Sequence, residues 1–298
     1  MKRFLTGIIV LTSLLIAPGC SSLTKSGETQ VSGNESHHTD ASHNMSSDHD
    51  HQGHSMEHTN HEANTKITTQ AKLTTPKNIA PNQSVNLVIN VQDTAGKSID
   101  KFDTFQEKLM HLIVVRDDLA TYDHIHPTYK GNGRFEVSAN FSTPGDYSLF
   151  SDYKPSGQKE TVSLMQVKIP GSVPLPKNLE KFEKTKVLSN TKVNLNVGNK
   201  KIQSGQEVTL NFDIKDAANN QPIKDIQPYL GERGHLVILK SASPLTVSDY
   251  IHAHALKKSA DGQIEFITSF PQPGTYKLWM QFQRNGKVDT ADFWVNVV

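Results

Sequence analysis

Residues 83–99 read QSVNLVINVQDTAGKSI, and residues 206–223 read QEVTLNFDIKDAANNQPI. In the first, Val85, Leu87, Ile89 and Val91 take every second position; in the second, Leu210, Phe212 and Ile214 do the same. An alternation of period two places apolar side chains on one face of a strand, and no helix produces it. Gly96 within TAGK then marks a turn, as do GNGR, TPGD and ADGQ elsewhere.

Working outward from these stretches, the two halves of the chain repeat each other. HLIVVRDDLATYDHIHP (111–127) aligns with HLVILKSASPLTVSDYIHAH (235–254), with four extra residues in the later loop. FSTPGDYSLFSDYKPSGQKET (141–161) aligns without a gap with FPQPGTYKLWMQFQRNGKVDT (270–290). Each copy carries about seven strand-like segments, the spacing of an immunoglobulin-like sandwich. The fold expected is all-β: two tandem immunoglobulin-like β-sandwich domains, residues 66–170 and 186–298. A proline-bearing linker over residues 171–185 joins them. Alternation within the strands leads us to expect one face of each sheet packed and the other wet.

The N-terminal part differs in kind. Lys2 and Arg3 precede the apolar run FLTGIIVLTSLLIAPG and Cys20, the only cysteine among 298 residues. A basic start, a short apolar stretch and small residues before a cut site describe an export signal over residues 1–19. IAPGC resembles a bacterial lipobox, which makes Cys20 a lipid attachment point and anchors the chain to the outer face of a membrane. Loss of Lys2 and Arg3 leaves 29 basic against 30 acidic side chains, which does not suggest a nucleic-acid partner.

Residues 20–65 lack the apolar content to offset their ordering entropy and are expected to be a disordered tail. This tail carries His37, His38, His43, His49, His51, His54, His58 and His61, with Met45 and Met56 between them. Imidazoles and thioethers on a flexible segment make a multidentate metal ligand, and the thioethers favour copper.

The other six histidines superpose in the repeat: His111, His124 and His126 on His235, His252 and His254. Each H-x-H pair projects two rings to one face of a strand, and a third histidine on the neighbouring strand can complete a three-nitrogen site. The expectation is one such site per domain, although a site shared between the domains stays open. In LMHLIVV, His111 and Ile113 share one face, and Met110, Leu112 and Val114 the other. The ungapped match pairs Asp152 with Gln281 and Ser151 with Met280. Asp152 is therefore a candidate fourth ligand in the first domain. Met280 shares a face with Tyr276, Leu278 and Phe282 and reads as core.

MHLIVVRDDLATYDHIHP resembles a motif of exported bacterial lipoproteins with YtkA-like domains, in which a leading histidine, an apolar strand and H-x-H-P follow one another. The second copy keeps HLVIL and HAH but has Ala255 in place of the proline. The resemblance implies immunoglobulin- or cupredoxin-like sandwiches that accompany copper and heavy-metal handling, with a metal-transporting membrane protein as partner. The expected role is buffering, sequestration or delivery of copper, with zinc as the other candidate ion. The competing reading is a tandem interaction module with structural histidines. No G-x-S-x-G, carboxylate dyad or phosphate loop stands out, and a blue-copper site needs a thiolate that lipidation of Cys20 would consume. A non-enzyme is expected.

Overall fold

The computed structural model describes residues 68–173, 180–198, 201–257 and 259–298. The leader, Cys20 and the tail with its eight histidines, Met45 and Met56 lie outside the described residues, as do residues 174–179 of the expected linker. Sixteen β-strands and a single 3-10 turn, but no α-helix, make up the described residues.

The first domain holds β1 (Thr69–Thr74), β2 (Ser84–Asp93), β3 (Met110–Arg116), β4 (Tyr122–Ile125), β5 (Thr128–Gly131), β6 (Arg134–Asn140), β7 (Gly145–Tyr153) and β8 (Thr161–Ile169). They form two antiparallel sheets, ordered β1-β2-β6-β5 and β4-β3-β7-β8. The second holds β9 (Thr185–Leu188), β10 (Thr191–Asn196), β11 (Glu207–Asp216), β12 (His235–Lys240), β13 (Tyr250–His254), β14 (Gln263–Ser269), β15 (Gly274–Arg284) and β16 (Lys287–Val297). Its sheets run β14-β11-β10-β9 and β13-β12-β15-β16. Both are immunoglobulin-like sandwiches. They differ at one edge: β5 has no full counterpart, only an isolated bridge between Ala255 and Phe266, and β9 extends the opposite edge instead.

The period-two alternation builds the two interiors. Leu87, Ile89 and Val91 of β2 meet Leu112, Phe135, Leu149 and Tyr153 in the first; Leu210, Phe212 and Ile214 of β11 meet Leu236, Phe266, Leu278 and Phe293 in the second. A tyrosine corner closes each sandwich: the Tyr147 hydroxyl donates to the Thr143 carbonyl and that of Tyr276 to the Gln272 carbonyl, both at 2.8 Å. Two residues before each tyrosine, Gly145 and Gly274 have φ of +143° and +142°. A Cβ there would lie 2.9 Å from the stem of Arg116 or of Lys240, so both conformation and space call for glycine.

One expectation fails. The second face of the β3 and β12 sheets is dry, because the two sandwiches pack against each other through it. Every residue of β3 is buried. Ile113, Val115, Phe150 and Val162 of the first domain join Val237, Leu239, Leu245, Tyr250, Trp279 and Trp294 of the second in a third core. The described residues of the two sandwiches accordingly belong to one compact unit. At the seam, Lys277 Nζ donates to the Leu119 carbonyl at 2.9 Å and pairs with Asp292 at 3.2 Å. The ammonium lies 5.2 Å from the ring centres of both Trp279 and Trp294.

Candidate metal centre

Strand parity delivers the histidines to this seam. Directly opposed residues of an antiparallel pair share a face. Register opposes Ile113 to His124 and His111 to Asp152, so these join Ile113, Val115 and Phe150 on the interdomain side. In the second domain His235 opposes both His254 and Gln281, while Val237 opposes His252 and Trp279. All six repeated histidines converge there. Ring centres are 4.6 Å apart for His126 and His124, 4.4 Å for His124 and His235, 4.5 Å for His235 and His252, and 5.1 Å for His252 and His254.

Among the described residues, two groups bring ligand atoms within 4.8 Å of one another: His111, His124 and His235, and Glu160, His252 and His254. Each group draws on both domains. The expected site per domain is therefore corrected to shared groups, because the faces bearing the histidines are packed together rather than wet. Asp152, the candidate fourth ligand, also reaches across the seam. Its carboxylate accepts from His252 Nδ1 at 3.0 Å and from the Tyr250 hydroxyl at 3.3 Å, both across the seam. Met280 is buried in the second interior, facing away from the imidazoles.

The contacts of Asp152 have a counterpart. Gln281 Oε1 accepts from His124 Nδ1 at 2.8 Å and from the Tyr122 hydroxyl at 3.3 Å. Tyr122 stacks on Trp279 at 4.8 Å, and Tyr250 on Phe150 at 5.2 Å. Since the repeat aligns Asp152 with Gln281 and Phe150 with Trp279, the two halves of the seam use one arrangement and differ in the acceptor and in the ring beneath each tyrosine.

Hydrogen bonding decides where the lone pairs point. His111 Nε2 lies 3.2 Å from the Phe105 carbonyl, which can only accept, so the proton sits on Nε2 and Nδ1 is bare. His124 donates through Nδ1 to Gln281, which leaves its Nε2 bare. These two bare nitrogens face each other at 3.1 Å. Both nitrogens of His235 are buried without a partner, as are Nε2 of His126 and of His252. Buried polar atoms are rarely left so. A cation among them would satisfy the lone pairs, and outer nitrogens fixed by carbonyl oxygens are the usual support of ligating imidazoles.

Charge agrees with this. Burial, then repulsion from His252 and His126, lowers His111 to about 3. Burial, then Lys108, lowers His126 to about 4. Burial also holds His124 and His235 far below the ordinary range. The neutral form, which leaves a nitrogen lone pair, thus prevails at these four rings. His252 goes the other way: burial opposes its charge, but Asp152 and Glu160 override it and raise the ring to about 10.

The metal-free protein should therefore lose stability in mild acid. Unfolded histidines take up protons below about pH 6.5, while His111 and His126 stay neutral to about 3 and 4 in the fold. Protons then favour the unfolded chain at these rings, and Asp152, which burial raises to about 7, and His252 offset only part of the loss as pH falls. Thermal melts from pH 7 to pH 5 should show Tm falling by about 5–10 °C. A flat profile would contradict buried neutral rings.

Sequence reasoning missed Glu160, the Phe105 carbonyl and the tyrosines. Two of these left a trace in the repeat: Glu160 aligns with another acid, Asp289, and Tyr122 with Tyr250, each two residues before a repeated histidine. The Phe105 carbonyl belongs to an irregular segment whose path no residue pattern announces.

The family described as "Domain of unknown function (DUF8832)" matches residues 63–169 and again 185–298. No curated protein matches the sequence. Among solved structures, a Salmonella alpha-2-macroglobulin mutant is similar at a TM-score of 0.27 and 13% identity, over 77% of this chain and 15% of that one. Native E. coli alpha-2-macroglobulin gives 0.26 and 12% over 77% and 14%. Invasin, a bacterial integrin-binding protein, gives 0.22 and 10% over 75% and 39%. The chain thus spans about 15% of the length of the first of these.

Proposed function

We propose that this chain, which belongs to the DUF8832 family, is a metal-binding protein anchored at the outer face of a cell membrane, where it buffers, sequesters or delivers copper. One observation carries the reading: His111, His124 and His235 are buried, neutral and aimed at one another with bare nitrogens. Structural histidines, as an interaction module would have them, use their nitrogens in hydrogen bonds; His235 uses neither. Three imidazoles suit copper and zinc alike. Copper is favoured by the thioethers Met45 and Met56 in the tail and by the resemblance to YtkA-like lipoproteins. The tail captures ions loosely, the seam holds them firmly, and Cys20 keeps both near a membrane transporter. No catalytic role is proposed.

The test uses full-length protein in which the eight histidines between His37 and His61 are serine. Copper at about 100 times its Kd should stabilise the fold by about 2.7 kcal/mol, a Tm rise of about 5–10 °C. His111→Ala with His124→Ala should remove the inner centre's share of the rise, at least half of it. A protein that binds neither Cu(I), Cu(II) nor Zn(II) would end the proposal. Separately, Cys20→Ala should leave the protein as unlipidated precursor or released from the membrane fraction; processed, membrane-retained protein would rule out the anchor.

A further inference from the structure

Resting on that metal-binding reading, we infer that the seam holds a second cation site of different chemistry, built by Glu160, His252 and His254, which takes a divalent ion from solvent and passes it to the inner histidines. Exposure sets the direction of travel. The side chain of His252 is 4% exposed, that of Glu160 18% and that of His254 43%, so the group runs from the surface into the seam. The inner trio is more enclosed, with His111 at 0%, His235 at 1% and His124 at 9%.

Unsatisfied atoms mark the group as a ligand site, independently of the clustering. Nε2 of His252 is buried without a partner, its proton the one an incoming ion would displace, and Oδ1 of the fully buried Asp152 beside it is likewise unpartnered. Nδ1 of His254 lies 2.9 Å from Gln106 Nε2, a contact across the seam that orients the ring. Glu232 lies 3.4 Å from the same nitrogen. Charge then separates the two sites. Glu160 and the adjoining Asp152 bring carboxylates that compensate a divalent ion entering a dry seam, whereas the inner trio is neutral. An oxygen ligand also makes the outer site harder than the all-nitrogen one. The rings of His235 and His252, 4.5 Å apart, join the two groups, so an ion crosses between them without returning to water.

Cu(II) is the probe, in full-length protein with the eight tail histidines changed to serine. Both tryptophans of the chain, Trp279 and Trp294, lie in the seam core, and their emission reports copper arriving there. The parent should bind two equivalents in two quenching phases. Glu160→Gln with His254→Ala should bind one equivalent and fill the inner site about 10-fold more slowly, in keeping with the about 10–100-fold that supporting partners alone are worth. His111→Ala with His124→Ala should keep the outer equivalent. Two equivalents surviving Glu160→Gln with His254→Ala would overturn the second site, and an unchanged loading rate would overturn its role in passing ions inward. A single equivalent lost only with His111 and His124 would overturn this inference and leave the inner centre standing. A single equivalent lost only with Glu160 and His254 would support the outer site and refute the inner one.

Discussion

Changing His235 to alanine should weaken copper binding at the seam by about 100-fold or more, beyond the about 10–100-fold attached to outer-shell partners. His235 is the only member of the inner trio that the second domain supplies, and both of its nitrogens are bare. Its strand β12 lies between β13 and β15, so the ring is held in place before any ion arrives. Preorganisation of this kind spares binding the cost of ordering side chains, and alanine forfeits the ligand and the advantage together. Copper-free protein should fold no worse, because the substitution also removes two buried, unpartnered nitrogens. Competition against a chromophoric chelator, with a melt of the metal-free variant beside it, separates affinity from folding. Affinity within threefold of the parent would show that His235 is not a ligand.

The largest effect on stability should come from Trp279→Ala, at about 3–5 kcal/mol. Trp279 is 3% exposed and stacks on Tyr122 of the other domain at 4.8 Å with an interplanar angle of 13°. Lys277 packs over its ring. Alanine would leave a cavity between two β-sheets that are rigid and close-packed, and would strip the buried ammonium of one of its two aromatic neighbours. Urea denaturation should show the midpoint falling steeply, while Val187→Ser, at a site 65% exposed, stays within about 0.5 kcal/mol of the parent. Equal midpoints for both variants would mean that the third core contributes little. By the same reasoning, either domain expressed alone should aggregate, because it would expose its share of that core.

The sandwiches themselves were legible. Period-two alternation in residues 83–99 and 206–223 located β2 and β11, and the repeat paired Asp152 with Gln281 before any register was known. Parity also put His111 with Ile113 and set Met280 among core residues. What parity could not say was which faces would meet. A signal existed: LMHLIVV and HLVIL have no polar alternation, and strands of that kind are buried on both sides. Read in that light, β3 and β12 demand a partner for their second face, and the other domain is the available one. Cross-domain partners such as Asp152 with His252 then follow from docking geometry, which depends on shape across two sheets rather than on any local run of residues.

The duplicated seam carries a consequence for how such a centre can change over time. Were these domains two identical chains related by a two-fold axis, every contact would occur twice, and a glutamine beside one histidine would impose a glutamine beside its mate. Fusion into one chain lifts that restriction. Position 152 holds a carboxylate while position 281 holds an amide. The two positions can therefore differ independently, so that a codon change at either one alters the partner of one histidine and leaves that of its mate unchanged.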